Sequence, residues 1–213
     1  MNVTTFVTGP FQENCYLLED RVAGVAAMID PGADGRHLCD AVRRAGVRLT
    51  AIWITHAHVD HIGGIAPLVD EFRVPIYLHP ADLPIYRRGR ETASAFGIPF
   101  DDPPEPDRTL ADGDELTLGG LRFRVLFAPG HAPGHVVFHG EGIAFVGDCL
   151  FAGSIGRTDL PLSDGAELQR SLARIAALPE ETIVYPGHGP ATTIRAELRT
   201  NPFLTGIARP VTR

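Results

Sequence analysis

Four metal-ligating side chains fall within six residues, directly after an apolar stretch of this chain. The run Thr55–Gly64 has the sequence THAHVDHIGG, and its donors are His56, His58, Asp60 and His61. Residues 49–55 are rich in β-branched and aromatic side chains, which predicts a buried strand. A buried strand delivers the residues that follow it to a sheet edge, where ligands commonly bind. The sequence therefore predicts a fold in which these four side chains lie together at the end of a buried strand.

The spacing of these donors predicts two metal ions. Alternate residues of an extended segment face the same way, so His56 and His58 are directed to one ion. A turn before Gly63 then directs Asp60 and His61 toward a second ion. Solvated loop histidines are the simpler interpretation for any one of these residues alone. Four donors in register after a buried strand favour metal binding, because imidazole is the commonest metal-binding side chain.

Three further predicted strands each run into a single donor. The alternating stretch 121–127 leads to His131 in a Pro-Gly turn, the stretch 143–146 ends at Gly147 and Asp148, and the apolar stretch 182–185 leads to His188. A glycine beside each of these donors lets the backbone pass close to an ion. These residues are the additional ligands that a pair of metals requires.

The order of these motifs, THAHVDH, PGH, GD and GHG, resembles the metallo-β-lactamase-fold hydrolases. NCYL at 14–17 and IDPG at 29–32 are similar to the opening strands of that family, so the resemblance spans roughly residues 1 to 200. It implies one metal at His56, His58 and His131, a second at Asp60, His61 and His188, and Asp148 as the bridge between them. GDCLFAGSIGRTD at 147–159 and NPF at 201–203 are most similar to short, single-domain relatives of glyoxalase II, the hydroxyacylglutathione hydrolase.

The implied chemistry is hydrolysis by a metal-bound hydroxide. Two close cations lower the pKa of a shared water, and the hydroxide attacks an ester, thioester or amide carbonyl while Asp60 orients it. Nitrogen and oxygen donors suit zinc, which we expect, and are also compatible with iron or manganese. The sequence contains neither a GxSxG serine elbow nor a phosphate-binding GxxxxGK[ST] loop, so other hydrolytic routes have no motif. We expect a hydrolase of thioesters of the S-lactoylglutathione type.

Recognition of glutathione is expected to be weak. Arg157 is the one residue that matches a glutathione-binding position of glyoxalase II, whereas Asp159 stands where a tyrosine is expected. The 25 residues after His188 are too few for the helical domain that completes the site in longer relatives. A persulfide dioxygenase with a single iron is an alternative, although its relatives carry HxHADH where this chain has Val59. A lactonase or other ester hydrolase and a non-enzymatic scaffold are the remaining alternatives.

Composition agrees with one ordinary enzyme domain over residues 1–213. The chain is 44% hydrophobic and 21% charged, which suits a substantial core, and its net charge of -7 argues against nucleic acid as a partner. No apolar run approaches the ~20 residues of a spanning helix, and Met1–Phe6 lacks the features of a signal peptide, so we expect a cytoplasmic protein without a membrane partner. Three cysteines without paired spacing predict no disulfide framework. A small-molecule thioester is the expected partner, and the oligomeric state is left open.

The pattern of strands and helices predicts an α/β fold, a four-layer αββα sandwich. Strand groups are followed by helices near 34–45 and 65–73 in the first half, and near 164–177 and 191–200 in the second. Asp34 and Asp164 are the predicted N-caps. Residues 80–114 interrupt the pattern, and their aromatic residues either line a wall of the active site or attach the segment to the body. Those aromatic residues are Tyr86, Phe96 and Phe100.

Overall fold

The computed structural model describes residues 1–211, which form two six-stranded sheets. The first sheet has the order β1 (Asn2–Thr8), β2 (Glu13–Asp20), β3 (Val25–Ile29), β4 (Arg48–Trp53), β5 (Ile76–Leu78), β6 (Arg108–Thr109). The second contains β7 (Glu115–Leu118), β8 (Leu121–Phe127), β9 (Val136–Gly140), β10 (Ile143–Gly147), β13 (Ile183–Pro186) and β14 (Thr192–Thr193), in the order β14-β13-β10-β9-β8-β7. Between β10 and β13 in sequence, β11 (Leu150–Phe151) and β12 (Ser154–Ile155) form a separate hairpin.

Helices cover the outer face of each sheet. They are α1 (Gly35–Ala45), α2 (Val59–Ile62), α3 (Ile65–Phe72), α4 (Leu83–Tyr86), α5 (Gly89–Phe96), α6 (Gly165–Ala176) and α7 (Ile194–Thr200). Buried residues of α1 and α3 pack on the first sheet, and those of α6 and α7 pack on the second. The predicted αββα sandwich is confirmed. Among residues 1–211, no helix combines the length and the hydropathy needed to cross a bilayer.

The layers follow from the two-residue period of the strands. In β2, Cys15 and Leu17 face the helices, whereas Tyr16 and Leu18 face the second sheet. Trp53 lies between the sheets, with its ring centroid 5.5 Å from that of Phe138. Burying one such large apolar side chain stabilises the fold by roughly 1.5–3 kcal/mol. This central layer holds the two sheets at a fixed separation and aligns their edges.

One of the two predicted N-caps is wrong. Asp164 caps α6 as predicted, because its carboxylate accepts hydrogen bonds from the backbone N–H groups of Ala166 and Glu167. Asp34 precedes α1 but makes no capping hydrogen bond, since its backbone is left-handed with φ 53°. Its side chain instead accepts a long hydrogen bond of 3.4 Å from the N–H of Gly9. The turn that leads into α1 is therefore fixed by other contacts.

Residues 80–114 are an integral part of the first half of the fold. They include α4 and α5, and β6 extends the first sheet beside β5. Tyr86 is buried and donates a hydrogen bond to the carbonyl of Pro104, so it attaches the segment to the body. Phe100 packs partly against the first helical layer, whereas Phe96 is largely exposed and contacts Phe11 edge to face. The three aromatic residues therefore differ in role.

Strand direction brings the predicted donors to one edge of the sandwich. Strands β3, β4 and β5 are parallel, so their carboxyl ends lie together. In the second sheet β10 and β13 are parallel, and β8 runs in the same direction because both β8 and β10 are antiparallel to β9. The carboxyl ends of β4, β8, β10 and β13 are where the donor-bearing loops begin. The candidate site occupies this edge.

Candidate metal centre

Seven predicted donors from four separate segments converge at the sheet edge. The segment after β4 supplies four of them, and the loops after β8, β10 and β13 supply one each: His56, His58, Asp60, His61, His131, Asp148 and His188. Two backbone hydrogen bonds help to hold these loops together. The N–H of Val136 donates to the carbonyl of Thr55, and that of Gly187 donates to the carbonyl of Gly147.

The first cluster consists of three imidazoles. One ring nitrogen from each of His56, His58 and His131 lies within 4.8 Å of the other two. Nδ1 of His58 is 2.9 Å from Nε2 of His131. Burial and the neighbouring imidazoles lower the pKa of His56 well below its usual value and that of His58 to about 3. These rings are therefore neutral at physiological pH and offer lone pairs rather than positive charge.

The second cluster combines imidazoles with a carboxylate. Donor atoms of Asp60, His61 and His188 lie within 4.8 Å of one another, and Nε2 of His188 is 3.3 Å from Oδ2 of Asp60. Burial alone would lower the pKa of both histidines. Hydrogen bonds to Asp148 and Asp60 outweigh burial and raise the pKa of His188 to about 10, and the same carboxylates raise that of His61 well above its usual value. The carboxylates of this cluster therefore hold positive charge at neutral pH, carried by protons on His61 and His188, which a bound metal would replace.

Asp148 lies between the two clusters. Its Oδ2 is 3.4 Å from Nε2 of His131 in the first cluster and 3.5 Å from Nε2 of His188 in the second. Its Oδ1 is 3.5 Å from Nε2 of His61. Burial alone would raise the pKa of this carboxyl, but His61 and His188 hold it well below its usual range. Asp148 is thus an ionised carboxylate shared by both groups of donors.

The ring tautomers leave nitrogen lone pairs directed into the centre. The hydroxyl of Thr55 donates to Asp30, so Nδ1 of His56 donates to that hydroxyl oxygen at 3.1 Å. Nδ1 of His131 donates to the carbonyl of Arg157, and Nδ1 of His61 donates to Oδ2 of Asp30. In each ring Nε2 is then the unprotonated nitrogen when the imidazole is neutral. Outer partners of this kind typically orient metal-binding histidines.

Unpartnered polar atoms show that the donor set fits a cation. Nε2 of His56, Nε2 of His61 and Oδ1 of Asp148 are buried and make no hydrogen bond. Buried polar groups are rarely left unpaired, because each unpaired group costs about 1–3 kcal/mol. A side chain on Gly187 would collide with Oδ1 of Asp148, so a glycine is needed there for close approach. Divalent metals at the two clusters would supply the partners that these atoms lack.

Sequence reasoning assigned no role to Asp30 or Glu13. Asp30 follows β3 and accepts hydrogen bonds from both the N–H and the hydroxyl of Thr55, in addition to its contact with His61. Glu13 is fully buried, and its Oε1 lies 3.8 Å from Nδ1 of His61 without a hydrogen-bond partner. An acidic residue at the end of an apolar strand, as in IDPG, is the signal that could have identified Asp30.

His135 contacts two of the candidate ligands, Asp148 and His56. Its Nε2 accepts a hydrogen bond of 3.1 Å from the N–H of Asp148, and its ring stacks on that of His56 with centroids 4.8 Å apart. His135 is therefore a partner of the candidate ligands His56 and Asp148. Cys149 packs in the core, where its thiol donates to the carbonyl of Ala128. His79 lies apart, stacked on Phe127.

Arg157 contributes its backbone to the centre, whereas its side chain faces solvent. The guanidinium forms two hydrogen bonds with the carboxylate of Asp159, of 2.6 and 2.7 Å, and 62% of the side chain is exposed. The same residue's carbonyl accepts the hydrogen bond from His131. The charged group that was expected to recognise substrate is therefore held by a neighbouring acid.

A groove of about 410 Å³ borders the second cluster at Asp60. Its walls include the apolar side chains of Phe11, Ile98 and Phe100. Phe11 belongs to the turn between β1 and β2, and the other two belong to the segment after α5. Phe100 thus lines a cavity beside the candidate site, as one interpretation of residues 80–114 predicted.

Comparison with known proteins identifies the family. The model of the metallo-beta-lactamase superfamily matches residues 8–188, a span that contains all seven donors. The chain belongs to the metallo-β-lactamase superfamily. Metal binding at the edge of an αββα sandwich is what this superfamily shares, and the chain is accordingly a metal-binding protein of hydrolase type.

Individual relatives extend over almost the whole chain. Hydroxyacylglutathione hydrolase GloC of Haemophilus influenzae is 38% identical over 209 residues, covering 96% of this chain and 98% of the relative. The structure of TTHA1623 in a di-iron-bound form is 46% identical, with a TM-score of 0.88, covering 95% of this chain and all of that one. The structure of the BLEG-1 B3 metallo-beta-lactamase is 38% identical, with a TM-score of 0.86 and coverages of 96% and 100%. The first and the third of these relatives are named for different substrates.

Proposed function

We propose that this chain hydrolyses thioesters of the S-lactoylglutathione type and uses two divalent metal ions. The observation that carries the proposal is the convergence of two donor clusters on one shared carboxylate, Asp148. In this assignment His56, His58 and His131 would hold the first metal, Asp60, His61 and His188 would hold the second, and the carboxylate of Asp148 would be shared between them. Two such cations lower the pKa of a water and polarise a carbonyl oxygen.

The chain's own side chains would orient the water and the metal donors. Asp60 is partly accessible, and its Oδ2 lies 3.3 Å from Nε2 of His188. In this position its carboxylate would accept a hydrogen bond from the water and orient it toward the carbonyl carbon. Asp30 holds His61 in one orientation and His135 holds the backbone of Asp148. Preorganised donors of this kind lower the reorganisation that the reaction requires.

Zinc is the proposed metal. Every side-chain donor in the two clusters is nitrogen or oxygen, a set that zinc binds readily and that iron and manganese also accept. The di-iron form of a relative that is 46% identical makes iron the second candidate. Metal analysis of protein purified without added metal distinguishes them.

Two observations support a thioester substrate. One relative that aligns along nearly the full chain is named a hydroxyacylglutathione hydrolase. The site also offers one exposed guanidinium, Arg157, which matches a carboxylate of glutathione in charge and geometry. Since Asp159 already holds that group, contacts remote from the reacting bond are weak. Weak remote binding predicts detectable turnover of S-D-lactoylglutathione with a high Michaelis constant.

A substrate panel tests the assignment. The metal-loaded enzyme is assayed with S-D-lactoylglutathione, a lactone, a cephalosporin and glutathione persulfide, the last with an oxygen electrode. We expect the thioester to give the highest kcat/KM. A higher value for the lactone or the cephalosporin would replace the thioester assignment by another hydrolysis. Oxygen consumption with the persulfide that exceeds thioester turnover, together with one iron per chain, would establish a persulfide dioxygenase instead.

A further inference from the structure

Asp82 is a buried carboxylate without a role in the proposed chemistry. It ends the short 3-10 turn Pro80–Asp82 that follows β5, and its side chain is inaccessible to solvent. The turn is held by a hydrogen bond of 3.0 Å from the N–H of Asp82 to the carbonyl of His79. A buried acid at such a position requires partners, because an unpaired buried charge is strongly unfavourable.

The partners of Asp82 are two backbone amides from two different ligand loops. Its Oδ2 accepts a hydrogen bond of 2.8 Å from the N–H of Ala57, the residue between His56 and His58. Its Oδ1 accepts one of 2.5 Å from the N–H of Gly134, in the loop that carries His131. The carboxylate therefore links the two segments that supply the three imidazoles of the first cluster.

The approach of the second loop depends on a glycine. A Cβ on Gly134 would lie 2.6 Å from the backbone nitrogen of Asp82 and 2.8 Å from its Oδ1. Such distances are too short for non-bonded atoms, so a larger residue would push the loop away from the carboxylate. Burial outweighs the two amide hydrogen bonds and raises the pKa of Asp82 to about 6. Each of its two oxygens accepts one of these hydrogen bonds.

We propose that Asp82 is a positioning residue for the first metal, holding the loop of His56 and His58 in register with the loop of His131. The inference rests on the proposed metal centre. Removal of a group that orients metal ligands through hydrogen bonds typically weakens metal binding 10- to 100-fold. The second cluster receives no hydrogen bond from Asp82, so its affinity is expected to stay unchanged.

The test compares Asp82→Asn with the unaltered chain by zinc titration against a chromophoric chelator and by the absorption spectrum after cobalt substitution. The asparagine keeps the shape but turns an NH₂ group toward one backbone N–H. We expect one of two metal equivalents to weaken by roughly 10- to 100-fold, with an altered spectrum for that site only. Gly134→Ala is the second variant, because its methyl group would push the backbone of residue 134 away from the carboxylate of Asp82. It should weaken the same metal site, and it keeps the test possible if Asp82→Asn fails to fold.

Asp20→Asn is the matched control. Asp20 is also a buried carboxylate that accepts backbone hydrogen bonds, from Val22, Ala23 and Gly120. It pairs with the first residue of β3, so it lies at the end of the strands that is opposite to the candidate site. Its replacement should leave both metal affinities unchanged. Two unaltered affinities in Asp82→Asn and Gly134→Ala, or equal losses in the control, would overturn the positioning role alone. An unaltered chain that binds no metal would overturn the proposed function together with it.

Discussion

Asp148 is the residue that contacts both donor clusters, because its carboxylate lies within 3.5 Å of nitrogens of His61, His131 and His188. Two cations at close range repel each other, and a shared anion between them reduces that repulsion. Asp148→Ala should therefore lose both metals together and abolish hydrolysis. The measurement is metal content after dialysis, with circular dichroism to establish folding. A variant that retains two metals would show that another group forms the bridge.

Substitution of Arg157 tests whether its guanidinium recognises substrate. An exposed pair such as Arg157 with Asp159 stabilises a protein by only about 0–1 kcal/mol, so a substrate carboxylate can displace the acid. Arg157→Ala should raise the Michaelis constant for S-D-lactoylglutathione more than for a small neutral ester, without changing metal content. Asp159→Ala frees the guanidinium and should lower the same constant. Equal effects on both substrates would mean that the pair only fixes the loop.

At the scale of elements, the sequence predicts the parts of the site that are local. His56 and His58 lie in the short segment after β4, which ends at Trp53, and the apolar strand pattern places that segment at the end of the sheet without further information. Asp30 and Asp82 act through partners 25 residues away in each case, on Thr55 and Ala57, and their spacing carries no signal of that contact. The predicted cap at Asp34 failed for a related reason, since its left-handed backbone is set by the surrounding turn.

The N-cap of α6 gives a prediction for an element. Asp164 accepts hydrogen bonds from two amides that have no partner within the helix, and α6 covers the second sheet through Leu168 and Leu172. Asp164→Ala should lower the free energy of unfolding by about 1 kcal/mol, the typical contribution of an N-cap. Asp164→Asn keeps an acceptor oxygen and should lose much less. Urea denaturation followed by circular dichroism measures both, and equal losses would rule out the capping explanation.

For the whole molecule, the candidate metal centre lies between the two sheets. Its donors lie in loops that follow β4 of the first sheet and β8, β10 and β13 of the second. Cations bound there would connect halves that otherwise meet through the apolar layer around Trp53. Four acidic side chains, Asp60, Asp148, Asp30 and Glu13, are concentrated at this edge, and their partners there are the imidazoles of His61 and His188. Metal binding should consequently stabilise the entire fold and not only the loops.

Removal of metal tests this coupling. A ligand at about 100 times its Kd stabilises the folded state by about 2.7 kcal/mol, and a domain of about 200 residues gains roughly 2–4 °C in Tm for each kcal/mol. EDTA should therefore lower the Tm by roughly 5–10 °C for each site emptied, and addition of zinc should restore it. Asp148→Ala is the control, because a chain that cannot hold the metals has no response to EDTA. If EDTA removes two metals from the unaltered chain and the Tm does not change, the centre contributes to catalysis without stabilising the contact between the sheets.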